Sequence, residues 1–294
     1  MTSPNPFPPA LHHRLVVGFD GSDSSLQAIE WAASEAGTRG ASVRVITSYS
    51  MEPLTDFAAG ATDSGVDMTE IEAECADRLR TATTAVFDDH PGIDHEIETV
   101  RVSPARALLV EAEHADLVVV GSTGAGAFTR FLLGSTSGAL LASCPCPVVI
   151  VPAEAPAPTG RIVVGTDGSE HAEHAVRWAA DEADRRGAEL VIVHGWKRGY
   201  HLTIEGVDRA DDFTPVDAEL ILDRAVEAAR AVSGASIEGR LVEGSVADTL
   251  LDLSKAADLL VVGSRGQGGF RAMLFGSIAS SVATHSNCPT VIVR

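Results

Sequence analysis

Short apolar runs separated by amphipathic stretches set the rhythm of this chain. In the first half, residues 15–19, 43–46, 117–120 and 148–151 are brief and rich in β-branched side chains, the signature of strands buried on both faces. Between them the apolar positions recur at helical spacing. Residues 22–39 open on Ser and Asp capping residues, place Ala28, Ile29, Ala32, Ala33 and Ala36 on one face, and stop at Gly40. Further helices are predicted over 69–86, over 104–113, and from Gly134-Ser135 to just before Pro145. Alternating strands and helices imply an α/β fold with a parallel sheet covered on both sides, any ligand lying at the carboxyl ends of the strands.

The pattern occurs twice. LVVGFDG at 15–21 returns as IVVGTDG at 162–168, an offset of 147 that holds through Trp31/Trp178, Gly40/Gly187 and Ala41/Ala188. Further on, 97–151 matches 239–293 at an offset of 142, with 23 identities in 55 positions. The halves are therefore paralogous copies, and their length difference falls between about 50 and 95, after the second strand. The Pro/Ala-rich PAEAPAPTG reads as an extended linker. Domain 1 is expected over 12–152, the linker over 153–159 and domain 2 over 160–294, sizes that fit the usual domain range.

Charge narrows the function. With 22 basic and 41 acidic residues the net charge is −19, and both halves are acidic, so nucleic acid and anionic membranes are excluded as the main partners. Four Cys are too few for a disulfide scaffold. The proline-rich N-terminus has no apolar core, and the apolar runs are too short to span a bilayer. A cytoplasmic protein without a membrane segment is expected. Cys144-Pro-Cys146 is not a CxxC pair and predicts buried thiols. His171 and His174 are read as part of a solvated helix face rather than as metal ligands, and Trp31 and Trp178 as packing residues. The acidic stretch 52–74, which lacks Lys and Arg, is read as a loop running into a helix.

Two features could carry chemistry. Asp20-Gly21-Ser22 and Asp167-Gly168-Ser169 follow the first strand of each copy. They are first what a tight turn with a helix cap requires; their position at a carboxyl strand end is what raises the alternative of a carboxylate meeting a ribose hydroxyl or a metal. The second feature is sharper. Gly121-Ser122-Thr123-Gly124 is followed after nine residues by Gly134-Ser135, and Gly263-Ser264-Arg265-Gly266 by Gly276-Ser277 at the same spacing. Glycines admit backbone N–H groups close to an anion, and a helix opening at Gly134 or Gly276 would point its first N–H groups at phosphate. No P-loop lysine is available, because GxxxxGK[ST] does not occur and the chain's two Lys are Lys197 and Lys255.

With these motifs the chain resembles a tandem universal stress protein of the ATP-binding branch, for which G-x2-G-x9-G-S/T is distinctive. The resemblance covers nearly the whole chain. It implies two tandem Rossmann-like (adenine nucleotide alpha hydrolase-like) domains, each a parallel five-stranded sheet with helices on both faces. Carried over by position, it implies that Asp20 and Asp167 lie near the ribose or a Mg²⁺ held through the phosphates, just after Gly18 and Gly165. Gly121 and Gly263 would line the ribose, with Ser122 and Ser264 beside them. Gly124, Gly134, Ser135 and Thr136 would hold the phosphates in domain 1, and Arg265, Gly266, Gly276, Ser277 and Ile278 in domain 2. Ser48 and Gly195 would present backbone to the adenine.

The function so implied is an ATP-binding, nucleotide-dependent regulator of the stress response, with one ATP and assisting Mg²⁺ per domain. A homodimer and pairing of the two domains through the last strands are implied as well, together with protein partners that the sequence does not name. Two alternatives use the same surface: a slow ATPase or phosphotransferase, and a nucleotide-free scaffold. The copies differ at Thr123 against Arg265 and at Ala125 against Gln267, which predicts tighter binding in domain 2.

Overall fold

The computed structural model describes residues 13–49, 68–124, 134–196, 202–204, 207–209, 214–266 and 275–294. The chain divides into two compact units between Glu154 and Ala155. In the first, β1 (Arg14–Phe19), α1 (Asp23–Arg39), β2 (Ser42–Ser48), α2 (Met68–Asp89), β3 (His95–Val100), α3 (Pro104–Glu111), β4 (Leu117–Gly121), α4 (Ser135–Ser143) and β5 (Val148–Val151) follow in order, with a 3₁₀ turn at Ala112–His114. All pairings are parallel and the strand order is β3-β2-β1-β4-β5. Val17 stands beside Val45 on one side and Val119 on the other.

The second unit repeats the plan with β6 (Arg161–Thr166), α5 (Glu170–Arg186), β7 (Glu189–Trp196), α6 (Pro215–Arg230), β10 (Ile237–Glu243), α7 (Val246–Ser254), β11 (Leu259–Gly263), α8 (Ser277–His285) and β12 (Thr290–Val293). Its parallel sheet has the order β10-β7-β6-β11-β12. A short antiparallel hairpin, β8 (Leu202–Ile204) with β9 (Val207–Arg209), occupies the region of variable length after β7.

The local causes are legible residue by residue. Ala28, Ile29, Ala32, Ala33 and Ala36 are completely buried, so the small face of α1 lets it lie close against β1 and β4. Ser22 caps α1 by accepting from the Ser25 N–H, and Gly40 ends it at φ 63°, a left-handed conformation that costs a residue with a Cβ about 1 kcal/mol or more. Ser169 and Gly187 do the same for α5. The central strands are apolar throughout: Leu15, Val16, Val17 and Leu117, Val118, Val119 are all 0% exposed, each such side chain contributing about 1.5–3 kcal/mol by leaving water. Helices α1 and α2 pack together on one face of their sheet and α3 with α4 on the other; α5 with α6 and α7 with α8 repeat the arrangement.

Each sheet order reverses direction between the first and fourth strands of its copy, β1 and β4 or β6 and β11. The crevice at their carboxyl ends is the site such a topology provides for ligands. No helix among the described residues is long and apolar enough to cross a membrane.

Candidate functional site

At the end of β1 the Asp-Gly-Ser sequence forms the tight turn and the helix cap. Asp20 Oδ1 accepts from the Ser22 N–H at 3.0 Å and from Ser22 Oγ at 2.6 Å, which closes the turn, while Gly21 sits at φ +82°. The other carboxylate oxygen faces the glycine loop, since a methyl group on Gly124 would stand 3.0 Å from Asp20 Oδ2. Domain 2 repeats this: the Ser169 N–H donates to Asp167 Oδ1 at 3.0 Å, and a methyl on Gly266 would meet Asp167 Oδ2. The second glycine of the motif leaves room for the carboxylate.

The first glycine of the motif has a different job. A Cβ at Gly121 would come within 2.7–2.8 Å of the backbone of Ser24 and Ser25, and one at Gly263 within 2.8–2.9 Å of the backbone of His171 and Ala172. Here α1 or α5 passes directly against the strand end, so the absence of a side chain is a packing requirement. The loop itself is clasped more fully in domain 1, where Ser24 Oγ donates to the Thr123 carbonyl at 2.6 Å. His171 holds the corresponding place in domain 2. There Ser169 Oγ reaches the Arg265 carbonyl at 3.4 Å.

The third glycine opens a helix. Gly134 and Gly276 are the N-caps of α4 and α8, with extended backbone and no side-chain capping bond. By contrast Ser22, Ser169, Thr214 and Ser245 cap α1, α5, α6 and α7 with their side chains. The first N–H groups of α4 and α8 thus face a cleft without a built-in acceptor, where the helix dipole also favours an anion.

These parts enclose one cleft per domain. In domain 1 it measures about 330 Å³ and is bordered by Gly18, Asp20, Ser48, Gly121, Ser122, Gly124, Gly134, Ser135 and Thr136, all the positions named from the sequence for that copy. In domain 2 it measures about 550 Å³ and is bordered by Gly165, Asp167, Gly195, Gly263, Arg265, Gly266, Gly276, Ser277 and Ile278. Ser264 does not border it; that residue is 2% exposed and its buried hydroxyl has no hydrogen-bond partner among the described residues. Ala125 and Gln267, like Lys197 and residues 52–67 of the acidic stretch, lie outside the described residues.

Sequence reasoning missed the apolar wall. Pro104, Ala107 and Leu108 of α3 border the domain 1 cleft, and Val246 and Leu250 of α7 the other. A Cβ at Gly18 would stand 2.9 Å from Leu108, and one at Gly165 would stand 2.9 Å from Leu250, so each leucine leans across the end of the first strand. A methyl on Gly195 would overlap Val246. Pro104, which holds the equivalent place, leaves room for Ser48. Leu108 and Leu250 correspond at the 142-residue offset, a pairing visible in the sequence, where helical spacing alone does not tell a cleft wall from a core face. The tryptophans stay away from both clefts.

The site's electrostatics are local. Burial, then the charges of Arg265 and His174, hold the His171 imidazolium below its ordinary range. His171 and His174 are both half-buried, not the solvated face expected, because the first turn of α5 lies against the end of β11. His174 Nδ1 is 3.0 Å from the Arg294 carbonyl oxygen. Among the described residues no three His, Cys, Asp or Glu converge as a metal site. One carboxylate per cleft suits a Mg²⁺ that arrives on phosphates, an ion commonly held by one or two carboxylates plus the ligand's own oxygens.

Comparison with known proteins places this architecture. The family model described as the universal stress protein family matches residues 12–152 and 158–294. A universal stress protein of Mycobacterium tuberculosis is 32% identical over 300 residues, covering 97% of this chain and 98% of that one. A universal stress protein crystal structure from Archaeoglobus fulgidus superposes with a TM-score of 0.68 at 22% identity, over 97% of this chain and 99% of that one. A universal stress protein solved in complex with cAMP is 31% identical, with a TM-score of 0.37 over 47% of this chain and 98% of its own. The duplicated parallel sheets and the twofold family match together make this chain a tandem-domain member of the universal stress protein family.

Proposed function

We propose that each domain binds one adenine nucleotide, ATP with Mg²⁺, and that occupancy makes the protein a nucleotide-dependent regulator of the stress response. The observation that carries this reading is the pair of uncapped helix N-termini, at Gly134 and Gly276, opening on clefts walled by glycine loops and one carboxylate. Polar N–H groups at one end and the apolar α3 or α7 wall at the other suit a ligand with phosphates and a flat base. Asp20 and Asp167 would meet the ribose or the metal, the loop and helix N–H groups the phosphates, and the backbone at Ser48 and Gly195 the base. Mg²⁺ would supply charge neutralisation on the phosphates.

A regulator rather than a catalyst is favoured because phosphoryl transfer also needs a group to orient the nucleophile, and the one acidic side chain bordering each cleft, Asp20 or Asp167, is already engaged in its own turn. Native purification, denaturation and mass spectrometry of the released nucleotide, followed by incubation with ATP over hours, separate the readings. Intact retained ATP supports the binder. Catalytic ADP accumulation replaces it with a slow ATPase, and no nucleotide with no measurable affinity replaces it with an acidic scaffold. Self-association through the last strands belongs to the same proposal, in a reducing cytoplasm; light scattering at twice the 30.6 kDa chain mass is the expected result.

A further inference from the structure

The turn in domain 1 has a neighbour that aligning the two copies does not reveal. Arg78, on α2, lays its guanidinium on Gly21, so that a methyl group on that glycine would overlap the guanidinium atoms. Gly21 stands between Asp20, which borders the cleft, and Ser22, whose hydroxyl is bonded to Asp20. Arg78 lies just outside the cleft lining, at its lip. Its helix is otherwise acidic here, with Glu70, Glu72, Glu74 and Asp77 on the preceding turns. Arg80 takes Asp77 as its partner at 3.2 Å, and no ion pair of Arg78 is found among the described residues. The next residue, Leu79, is 1% exposed and fixes the backbone from which Arg78 extends. Domain 2 obtains its cation differently, from Arg265 within the glycine loop.

We propose that Arg78 is the phosphate-end cation of domain 1, pairing with the terminal phosphate of a nucleoside di- or triphosphate and making that domain select polyphosphate nucleotides over monophosphates. The proposal rests on the adenine-nucleotide reading above. A guanidinium offers a planar fork of donors that matches phosphate oxygens. In a chain of net charge −19, charges beyond roughly 8 Å are screened at physiological salt, so an arginine at the lip outweighs the distant acids. A monophosphate held by the Gly124 and Ser135 N–H groups has nothing to extend to the lip, whereas the outer phosphates of a longer chain do.

The test uses the full-length chain carrying Gly276→Val. Gly276 has φ −73° and ψ 153°, which valine adopts freely, and the added bulk blocks the domain 2 cleft so that domain 1 alone reports. Calorimetric titrations with ATP and AMP at fixed Mg²⁺ then compare the parent with Arg78→Ala, Arg78→Lys and, as a charge control on the same helix, Arg80→Ala. Loss of an exposed charged hydrogen bond should lower the AMP-to-ATP Kd ratio about tenfold in Arg78→Ala. Arg78→Lys should restore part of it and Arg80→Ala should leave it in place. An equal loss for ATP and AMP, no loss for either, or the same loss in Arg80→Ala overturns the role of Arg78 while leaving the nucleotide site standing. A parent that binds neither nucleotide overturns both, and the missing heat in the parent itself identifies that failure.

Discussion

At the scale of residues, a serine-to-histidine difference on the first helix changes how each glycine loop is held. Ser24 ties the Thr123 carbonyl to α1 in domain 1, and His171 stands in its place in domain 2, its imidazolium disfavoured by burial and by Arg265 and His174. Because its folded pKa lies below the unfolded value of about 6.5, the unfolded chain takes up the proton first as pH falls. Stability is unaffected well above 6.5 and is lost as pH drops from there through the folded pKa. His171→Ser should therefore shrink the fall in urea midpoint between pH 7.5 and 5.5, and should add about 1 kcal/mol at pH 7.5 by supplying a hydroxyl for the Arg265 carbonyl; parallel pH profiles for variant and parent would refute the assignment. The cysteines give a second check. Cys144, Cys146 and Cys288 are buried; Cys144 beside it, and burial, push the Cys146 thiol up, and burial pushes Cys288 up to about 12. Cys75 alone is half-buried. One thiol per native chain should react with a disulfide reagent at pH 8, and all four after denaturation.

Among the elements, what could be read in advance and what could not has a physical cause. The helices and the buried strands announced themselves because burial on both faces demands continuous apolar runs and one-sided burial demands helical spacing. β3 and β10 give no such signal: HEIETV and IEGRLVE are mixed, with no fully buried residue, as edge strands are when charge protects the open side. Arg44 on β2 pairs with Glu96 on β3 at 2.7 Å and also with Glu98, so even the pairing there is partly ionic. The glycines of the G-x2-G-x9-G motif were legible as a set, but their separate duties were not, because duty depends on which backbone passes nearby. This separation is testable. Gly121→Ala drives a methyl into the Ser24–Ser25 backbone and should cost about 2 kcal/mol or more of stability, whereas Gly134→Ala, whose Cβ meets nothing within 4 Å, should cost only the N-cap difference of about 0.5–1 kcal/mol in the same urea titration. Similar losses in both would mean that the first glycine is not a packing device.

For the molecule as a whole, duplication was the most legible fact, since offsets of 147 and 142 need no structural knowledge, yet duplication also hid the unlike parts. Comparing copies position by position located a cation only in domain 2, at Arg265, and suggested tighter binding there. The arginine at the lip of domain 1 comes from α2, inside the region where the alignment offset changes, so no paired position could expose it. The contrast between domains is thus one of where the arginine sits and of cleft size, about 330 against 550 Å³. Total charge then governs the approach of ligand rather than its retention. On the proposed reading, a nucleotide of negative charge would meet a −19 chain whose repulsion extends about 30 Å at 0.01 M salt and about 8 Å at 0.15 M, while the contacts that would retain it are short ones from N–H groups and arginine. Raising salt from 10 to 150 mM should accordingly increase the association rate of ATP several-fold in stopped-flow measurements and change the dissociation rate much less. A basic pocket steering its ligand behaves oppositely, so an association rate that falls with salt would mean that Arg78 and Arg265 dominate the field well beyond their own surroundings.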